Sequence, residues 1–303
     1  MSILRPDNID QLCTLIRDAR AAGRKLAIQG GGSKTGFGAP TDATPLDMRA
    51  FTGIVDYDPA ELVLTVRAGT PLVEVEAALA TQGQMLAFEP WDHGPLFGAS
   101  AGAATIGGII AAGVAGPRRL SAGGARDHLL GFTAVSGKGE RFVAGGRVVK
   151  NVTGFDMAKL MAGSWGRLAA MTELSIKVLP RPRDSVTLAA GGLSAAAAQA
   201  LMLDALGTPA SIAAAAHLPA GSTGPALTLL RLEGFGPSVA ARCEALIRQF
   251  VALRQLPETD ASACWQAVRT AAPLDGALLW RAHLPASAAS VLADWLEASS
   301  RRD

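Results

Sequence analysis

The chain has 303 residues, 49% of them hydrophobic, and a net charge of +2. That length exceeds one ordinary core and predicts two domains, and the apolar fraction excludes a disordered chain. Lysine and arginine form no run that would mark a nucleic-acid binder, since "GPRRL" and "SSRRD" are short pairs read as solvated surface. Cys13, Cys243 and Cys264 lie far apart, which excludes a disulfide framework and a cysteine zinc site. The opening "MSILRPDNIDQL" lacks a basic segment followed by an apolar one, so the sequence reads as cytoplasmic.

In chain order, Asp7 is the expected N-cap of a helix. Ile9, Leu12, Ile16 and Ala19 share its apolar face, and Gly23 stops it. "KLAIQ" reads as a short buried strand running into the glycine-rich "QGGGSKTGFG", from Gln29 to Gly38. "TPLDM" is a second short strand, and Glu61–Ala68 alternates as a third. Thr70 and Pro71 open a helix with Leu72, Val75 and Leu79 inward and Gly83 at its end. Gly94–Pro117 carries no charge until its end is passed, and imitates a membrane span. Its large apolar residues are few among many glycines, so a buried, backbone-rich segment is expected instead. "LLGFTAVSGKGERFVAGG" predicts a hairpin turning at Ser136–Gly139. Asp156 caps a short helix carrying Met157, Leu160 and Met161, and "RLAAMTELSIKVLP" is a long strand. Past Arg181–Asp184 the composition becomes alanine-rich, with helix, strand and helix in turn. This predicts a small α+β domain with helices on one side of a sheet.

The glycine loop calls for a ligand. A P-loop needs lysine where Phe37 stands. A dinucleotide fingerprint would use Asp47 on the ribose, but Pro40 and Pro45 prevent the helix it requires, and Thr35 breaks the spacing. There remains a nest of inward N–H groups, to which Ser33 adds a hydroxyl and Lys34 a charge, against the plainer reading of a surface turn. A second cluster, Thr105-Ile106-Gly107-Gly108, opens a short helix whose first amides would face an anion. Two such elements suit a pyrophosphate. In "LMAGSWG", Leu160–Gly166, small residues leave room for a flat ring against the backbone.

These blocks, in this order, resemble the FAD-binding family of the vanillyl-alcohol oxidase and p-cresol methylhydroxylase type, over about residues 8–183. "AIQGGGSKTGFG" is similar to its pyrophosphate loop. "GASAGAATIGGIIAAGVAGPRRLSAGGARDHLLGFTAVSGKGE" is similar to its central motif, and "VVKNVTGFDMAKLMAGSWGRLAAMTELSIKVLPRP" to its third block. Within the family, "FEPWDHG" and "AGPRR" most resemble the FAD-binding E subunits of bacterial glycolate oxidases. The resemblance implies an α+β fold. A two-lobed FAD-binding domain spans residues 1–183, and a cap spans 184–303 that lacks the family's closing segment, since the chain runs out at "LADWLEASSRRD". It places Gly30, Gly31, Gly32, Ser33 and Lys34 on the pyrophosphate, and Thr105, Gly107 and Gly108 on its other side. Pro90, Arg126, Asp127, Gly163 and Ser164 would line the rest of the FAD channel, with a cap or local hydrogen bond as the competing role for Asp127 and Ser164. The loop has no histidine or cysteine for a covalent flavin link, so the implied FAD is non-covalent.

The implied reaction is oxidation of glycolate or another 2-hydroxy acid. Electrons would pass to a second FAD-binding subunit and an iron–sulfur subunit, and the complex would associate with the inner face of the cytoplasmic membrane through those partners. The competing reading is a non-catalytic subunit that supports a catalytic sister chain. In the cap, His217, His283, Arg231, Arg242, Arg269 and Arg281 are the candidates for holding a substrate. His217 also reads as a helix-end residue and His283 as core. No spacing marks a metal site.

Overall fold

The computed structural model describes residues 3–38, 41–146, 155–221, 224–272, 274 and 279–300. They form two compact units. The first comprises residues 1–116 and 123–181, the second residues 117–122 and 182–303.

The first unit opens with α1, Ile9–Ala21. Its N-cap is Asn8 rather than Asp7. Asn8 has extended backbone, and its Oδ1 accepts the amides of Asp10 at 3.1 Å and Gln11 at 3.0 Å. Asp7 stands one residue too early to reach them. Strands β1 (Leu26–Gln29) and β2 (Thr44–Asp47) pair in parallel, with the glycine loop in the connection between them. Then follow β3 (Ile54–Asp58), β4 (Val63–Arg67), α2 (Leu72–Ala80), β5 (Gln84–Met85), α3 (Ile106–Ala112), α4 (Arg119–Ala122) and α5 (Ala125–His128). The hairpin β6 (Leu129–Ser136) and β7 (Arg141–Gly145) comes next, then α6 (Met157–Met161), β8 (Ala169–Lys177) and β9 (Leu179–Pro180). Asp156 caps α6 as expected, accepting the Lys159 amide at 3.2 Å.

A five-stranded antiparallel sheet of order β3-β4-β8-β6-β7 organises this unit. One face carries Leu64, Val66, Phe132, Ala134, Leu174 and Ile176 against Leu72, Val75 and Leu79 of α2 and Ile106, Ile109 and Ile110 of α3. Val135 and Ala170 point the other way and join Leu12, Cys13 and Ile16 of α1 and Leu46 of β2. Each of these large aliphatic side chains contributes about 1.5–3 kcal/mol by leaving water. The uncharged Gly94–Pro117 stretch is spent in this core. It breaks into a 3-10 turn at Pro95–Phe97 and the seven-residue α3, whose three isoleucines are wholly buried. Among the described residues no helix is long and apolar enough to cross a membrane. The edge strand β3 escapes a reading by alternation, because Ile54 and Val55 are adjacent and both exposed.

The second unit holds β10 (Asp184–Gly191), α7 (Ala195–Leu206), β11 (Ala214–Leu218), β12 (Leu227–Gly234), α8 (Gly236–Gln249), β13 (Arg254–Gln255), α9 (Glu258–Thr270) and α10 (Ala289–Ser300). Its sheet has the order β11-β12-β10-β13, and its paired strands are antiparallel. Helices α7 and α8 cover the face bearing Leu188, Leu230 and Leu232. The expectation that all helices share one side does not hold. Trp265 of α9 packs with Ala189, Ala214 and Leu229 on the opposite face, and its Nε1 donates to Thr187 Oγ1 at 2.9 Å. Residues of opposite parity on β10 and β12 are both apolar, so both faces need a cover.

Candidate cofactor site

Strand β1 delivers the glycine loop to the start of α3. A β-carbon on Gly30 would lie 2.0 Å from Thr105 Oγ1, and one on Gly31 would lie 1.6 Å from the carbonyl oxygen of Ala103. Only glycine lets the two backbones meet this closely. Gly32 has φ +74°, which turns the chain, and Thr35 N donates back to Gly32 O at 3.3 Å. Among the described residues, the amides of Gly31, Gly32, Ser33 and Lys34 donate to no protein acceptor. Four consecutive N–H groups are therefore available to an anion. Lys34 Nζ lies 3.3 Å from Ser33 Oγ. Burial pushes the Lys34 ammonium below its ordinary value, and the nearby Asp92 carboxylate pulls it back up.

The second cluster lies against the glycine loop, but the amides of Ile106, Gly107 and Gly108 are engaged within the protein. Thr105 is the N-cap of α3 and accepts the Gly108 amide at 3.2 Å. The Gly107 amide donates to Ala68 O at 2.7 Å and the Ile106 amide to Thr70 O at 2.9 Å. The amides of Gly107 and Gly108, expected to face a phosphate, are thus engaged within the protein. A helix end buried against a neighbouring turn must satisfy its donors there. These residues provide close approach instead: a β-carbon on Gly107 would sit 2.6 Å from Ala68 O.

The third segment closes the arrangement. Gly163 N donates to Ile110 O at 3.0 Å and Trp165 N to Ala111 O at 2.8 Å, which fastens the turn to α3. Gly166 reaches back to Ile28 of β1. A cleft of ≈ 50 Å³ lies among them, lined by Gly30, Thr105, Gly107, Gly108, Ala111 and Gly166 together with neighbouring side chains. The Ser164 hydroxyl is buried and has no hydrogen-bond partner among the described residues. An orphaned buried hydroxyl and a run of unused amides in one unit are what a site for a polar, anionic cofactor presents.

The outer positions differ. Pro90 is buried just before Trp91 and His93, whose rings stack at 3.6 Å. Asp127 caps its own turn, with Oδ2 accepting the Gly124 amide at 2.8 Å, and Arg126 is exposed on α5 facing Asp156. Residues 147–154, the start of the third block, lie outside the described residues. Asp47, the residue weighed for a ribose, is instead held by Arg49 at 2.7 Å and Arg5 at 3.5 Å. Sequence reasoning missed Asp92. Its carboxylate accepts the amides of Gly94 at 2.9 Å and Gly102 at 2.8 Å, closing the segment that leads to α3. An Asp two residues before a glycine was the available signal.

In the second unit the substrate candidates are largely committed. Arg242 donates to the carbonyls of Ala210 and Glu233, each at 2.8 Å. Arg231 stacks over Trp265 at 4.7 Å and pairs with Glu233 at 3.2 Å. His217 is on β11 rather than at a helix end, with Nδ1 3.0 Å from Thr228 Oγ1. His283 is exposed in coil, not core, as is Arg281, while Arg269 stands in the last turn of α9. Partial loss of solvent around its ring, then the positive charges of Arg281 and Arg119, hold the His283 imidazole below its ordinary value.

Comparison with known proteins agrees with this geometry. Residues 2–145 match the family model described as "FAD binding domain". Glycolate oxidase subunit GlcE of Escherichia coli (strain K12) is 50% identical over 163 residues, 54% of this chain and 45% of that protein. D-lactate dehydrogenase of Archaeoglobus fulgidus is 30% identical over 62% of this chain and 40% of its own length. Glycolate oxidase subunit GlcD of Bacillus subtilis (strain 168) is 27% identical over 62% of this chain and 39% of its own. The chain spans less than half the length of these relatives. Among solved structures, alkyldihydroxyacetonephosphate synthase superposes with a TM-score of 0.68 at 17% identity, covering 88% of this chain and 54% of that one, and so shares the fold.

Proposed function

We propose, from the match of residues 2–145 to the FAD binding domain model and the likeness to glycolate oxidase subunit GlcE, that the chain is the flavin-carrying subunit of an enzyme that oxidises glycolate or a related 2-hydroxy acid. The observation that carries the reading is the contact of Gly30 and Gly31 with Ala103 and Thr105, beside four amides that no described protein group uses. The amides of Gly31 to Lys34 hold the diphosphate, with Ser33 Oγ and Lys34 Nζ adding a donor and a charge. A bound diphosphate favours the charged Lys34 that burial disfavours. Ser164 Oγ donates to the cofactor from the α3 side, next to Gly163, and Pro90 lines the wall. Arg126 and Asp127 stand at the margin, Asp127 with a structural task. FAD, when bound, supplies the acceptor for the hydride that leaves the substrate's carbinol carbon. It is held without a covalent bond, since Gln29–Gly38 offers no histidine or cysteine.

Electrons then leave through partners: a second FAD-binding subunit and an iron–sulfur subunit. Support comes from the relatives, two of which are named as glycolate oxidase subunits, and from the three scattered cysteines, too few to ligate a cluster here. Association with the cytoplasmic face of the membrane, where it occurs, runs through those partners.

The test is reconstitution. The purified chain, saturated with FAD and desalted, is expected to retain a flavin absorbance that bleaches when glycolate or D-lactate is added anaerobically in the presence of its partner subunits. A colourless chain that retains no FAD overturns the proposal and leaves the supporting-subunit reading.

A further inference from the structure

Three aromatic rings stand half out of water on segments next in sequence to residues of the glycine loop and cleft. Phe37, Phe97 and Trp165 are 45%, 47% and 44% exposed. Phe37 is the centre: its ring lies 5.4 Å from Trp165, tilted by 38°, and 5.3 Å from Phe97, edge to face. Phe37 is three residues beyond Lys34 on the same loop, and Trp165 stands between the orphaned Ser164 hydroxyl and Gly166, which lines the cleft. Phe37 thus joins the loop that carries the unused amides to the Gly163–Gly166 turn.

Folding alone does not ask for them. Trp165 has φ +56°, a left-handed conformation that a large side chain adopts at a cost of about 1 kcal/mol or more, between Gly163 and Gly166, which adopt it freely. The Trp165 amide bond to Ala111 O holds the backbone there and turns an indole toward solvent beside Phe37. Exposed aromatic surface of this kind is unfavourable in water unless something flat covers it. A dinucleotide anchored at its diphosphate carries a flat ring on either side of the anchor, within reach of a loop only three residues on.

Resting on the reading of the cleft as an FAD site, we propose that Phe37 and Trp165, braced by Phe97, form the stacking surface for one of the two flat rings of FAD, the isoalloxazine or the adenine. Stacking of this kind contributes about 1–3 kcal/mol per ring.

The experiment compares FAD binding by the full chain with Phe37→Leu, Trp165→Leu and Trp165→Tyr, using Phe235→Leu, an exposed aromatic of the second unit, as control. Thermal unfolding verifies that each variant is folded. Phe37→Leu and Trp165→Leu are expected to weaken FAD about tenfold, while Trp165→Tyr restores most of the affinity and Phe235→Leu changes nothing. If the isoalloxazine is the stacked ring, bound-flavin fluorescence rises in Trp165→Leu, because indole quenches it, and FMN binding falls in parallel. If the adenine is stacked, ADP binding falls and flavin fluorescence stays constant. FAD affinity and fluorescence unchanged in both leucine variants overturn the stacking surface alone. No FAD binding by the unsubstituted chain removes the underlying reading as well.

Discussion

At the scale of single residues, two glycines five positions apart in the same loop have different reasons to be there. Gly31 has no room for a β-carbon, because Ala103 O occupies its place 1.6 Å away. Gly36 meets nothing within 4 Å and needs no left-handed backbone. Gly31→Ala must push the loop off the Ala103–Thr105 segment that leads into α3, at roughly 1–3 kcal/mol. We expect it to lower the unfolding midpoint and abolish FAD retention, measured by thermal melts and flavin absorbance. Gly36→Ala is expected to stay within about 0.5 kcal/mol of the parent. The sequence advertised both glycines equally as members of one cluster. It could not rank them, because what distinguishes them is the position of Ala103, distant in the chain.

At the scale of elements, the parallel pair β1–β2 carries the loop, and the end from which the loop leaves β1 is tied by charge. Asp47 closes β2, with Arg49 Nε and Nη2 on its carboxylate at 3.0 and 2.7 Å and Arg5 at 3.5 Å. The Arg49 hydrogen bonds above all hold the Asp47 carboxyl below its ordinary value. A depressed folded-state value means that this contribution is complete above the unfolded value of about 3.9 and is lost as pH falls through the folded one. Stability of the parent relative to Asp47→Asn should therefore be greatest near neutrality and shrink on acidification below about pH 4, as read from urea unfolding at several pH values. A difference independent of pH would show that the pair does not act through charge. Here the sequence misleads gently, since an acid at this offset from a glycine loop also suits a ribose. The two guanidiniums that claim it come from a neighbouring turn and from the chain's beginning.

At the scale of the whole molecule, six residues change company. Pro117–Ala122 belong to the second unit although both flanks belong to the first. Arg118 pairs with Glu233 at 2.5 Å, Arg231 joins the same carboxylate at 3.2 Å, and Ser121 Oγ donates to Ala213 O at 2.8 Å. All three charged side chains are nearly buried. Glu233→Gln would leave two guanidiniums without their carboxylate, and is expected to cost about 3 kcal/mol of stability, seen as a lower melting temperature. A melt identical to the parent's would remove Glu233 from that anchoring task.

What the sequence determined by itself was local. Asp156 before an apolar run made a cap, Ser136–Gly139 made a hairpin, and three blocks of small residues in a fixed order made a nucleotide domain recognisable without coordinates. These follow from short-range rules of capping, alternation and steric size that any copy of the segment obeys. The tertiary structure alone decided which amides remain open. Those of Gly31 to Lys34 stay unused, while those of Ile106 to Gly108 are taken by Thr70, Ala68 and Thr105. A hydrogen-bond donor is free or spent only with respect to what packs against it, and that neighbour is fixed by the fold rather than by the adjoining residues.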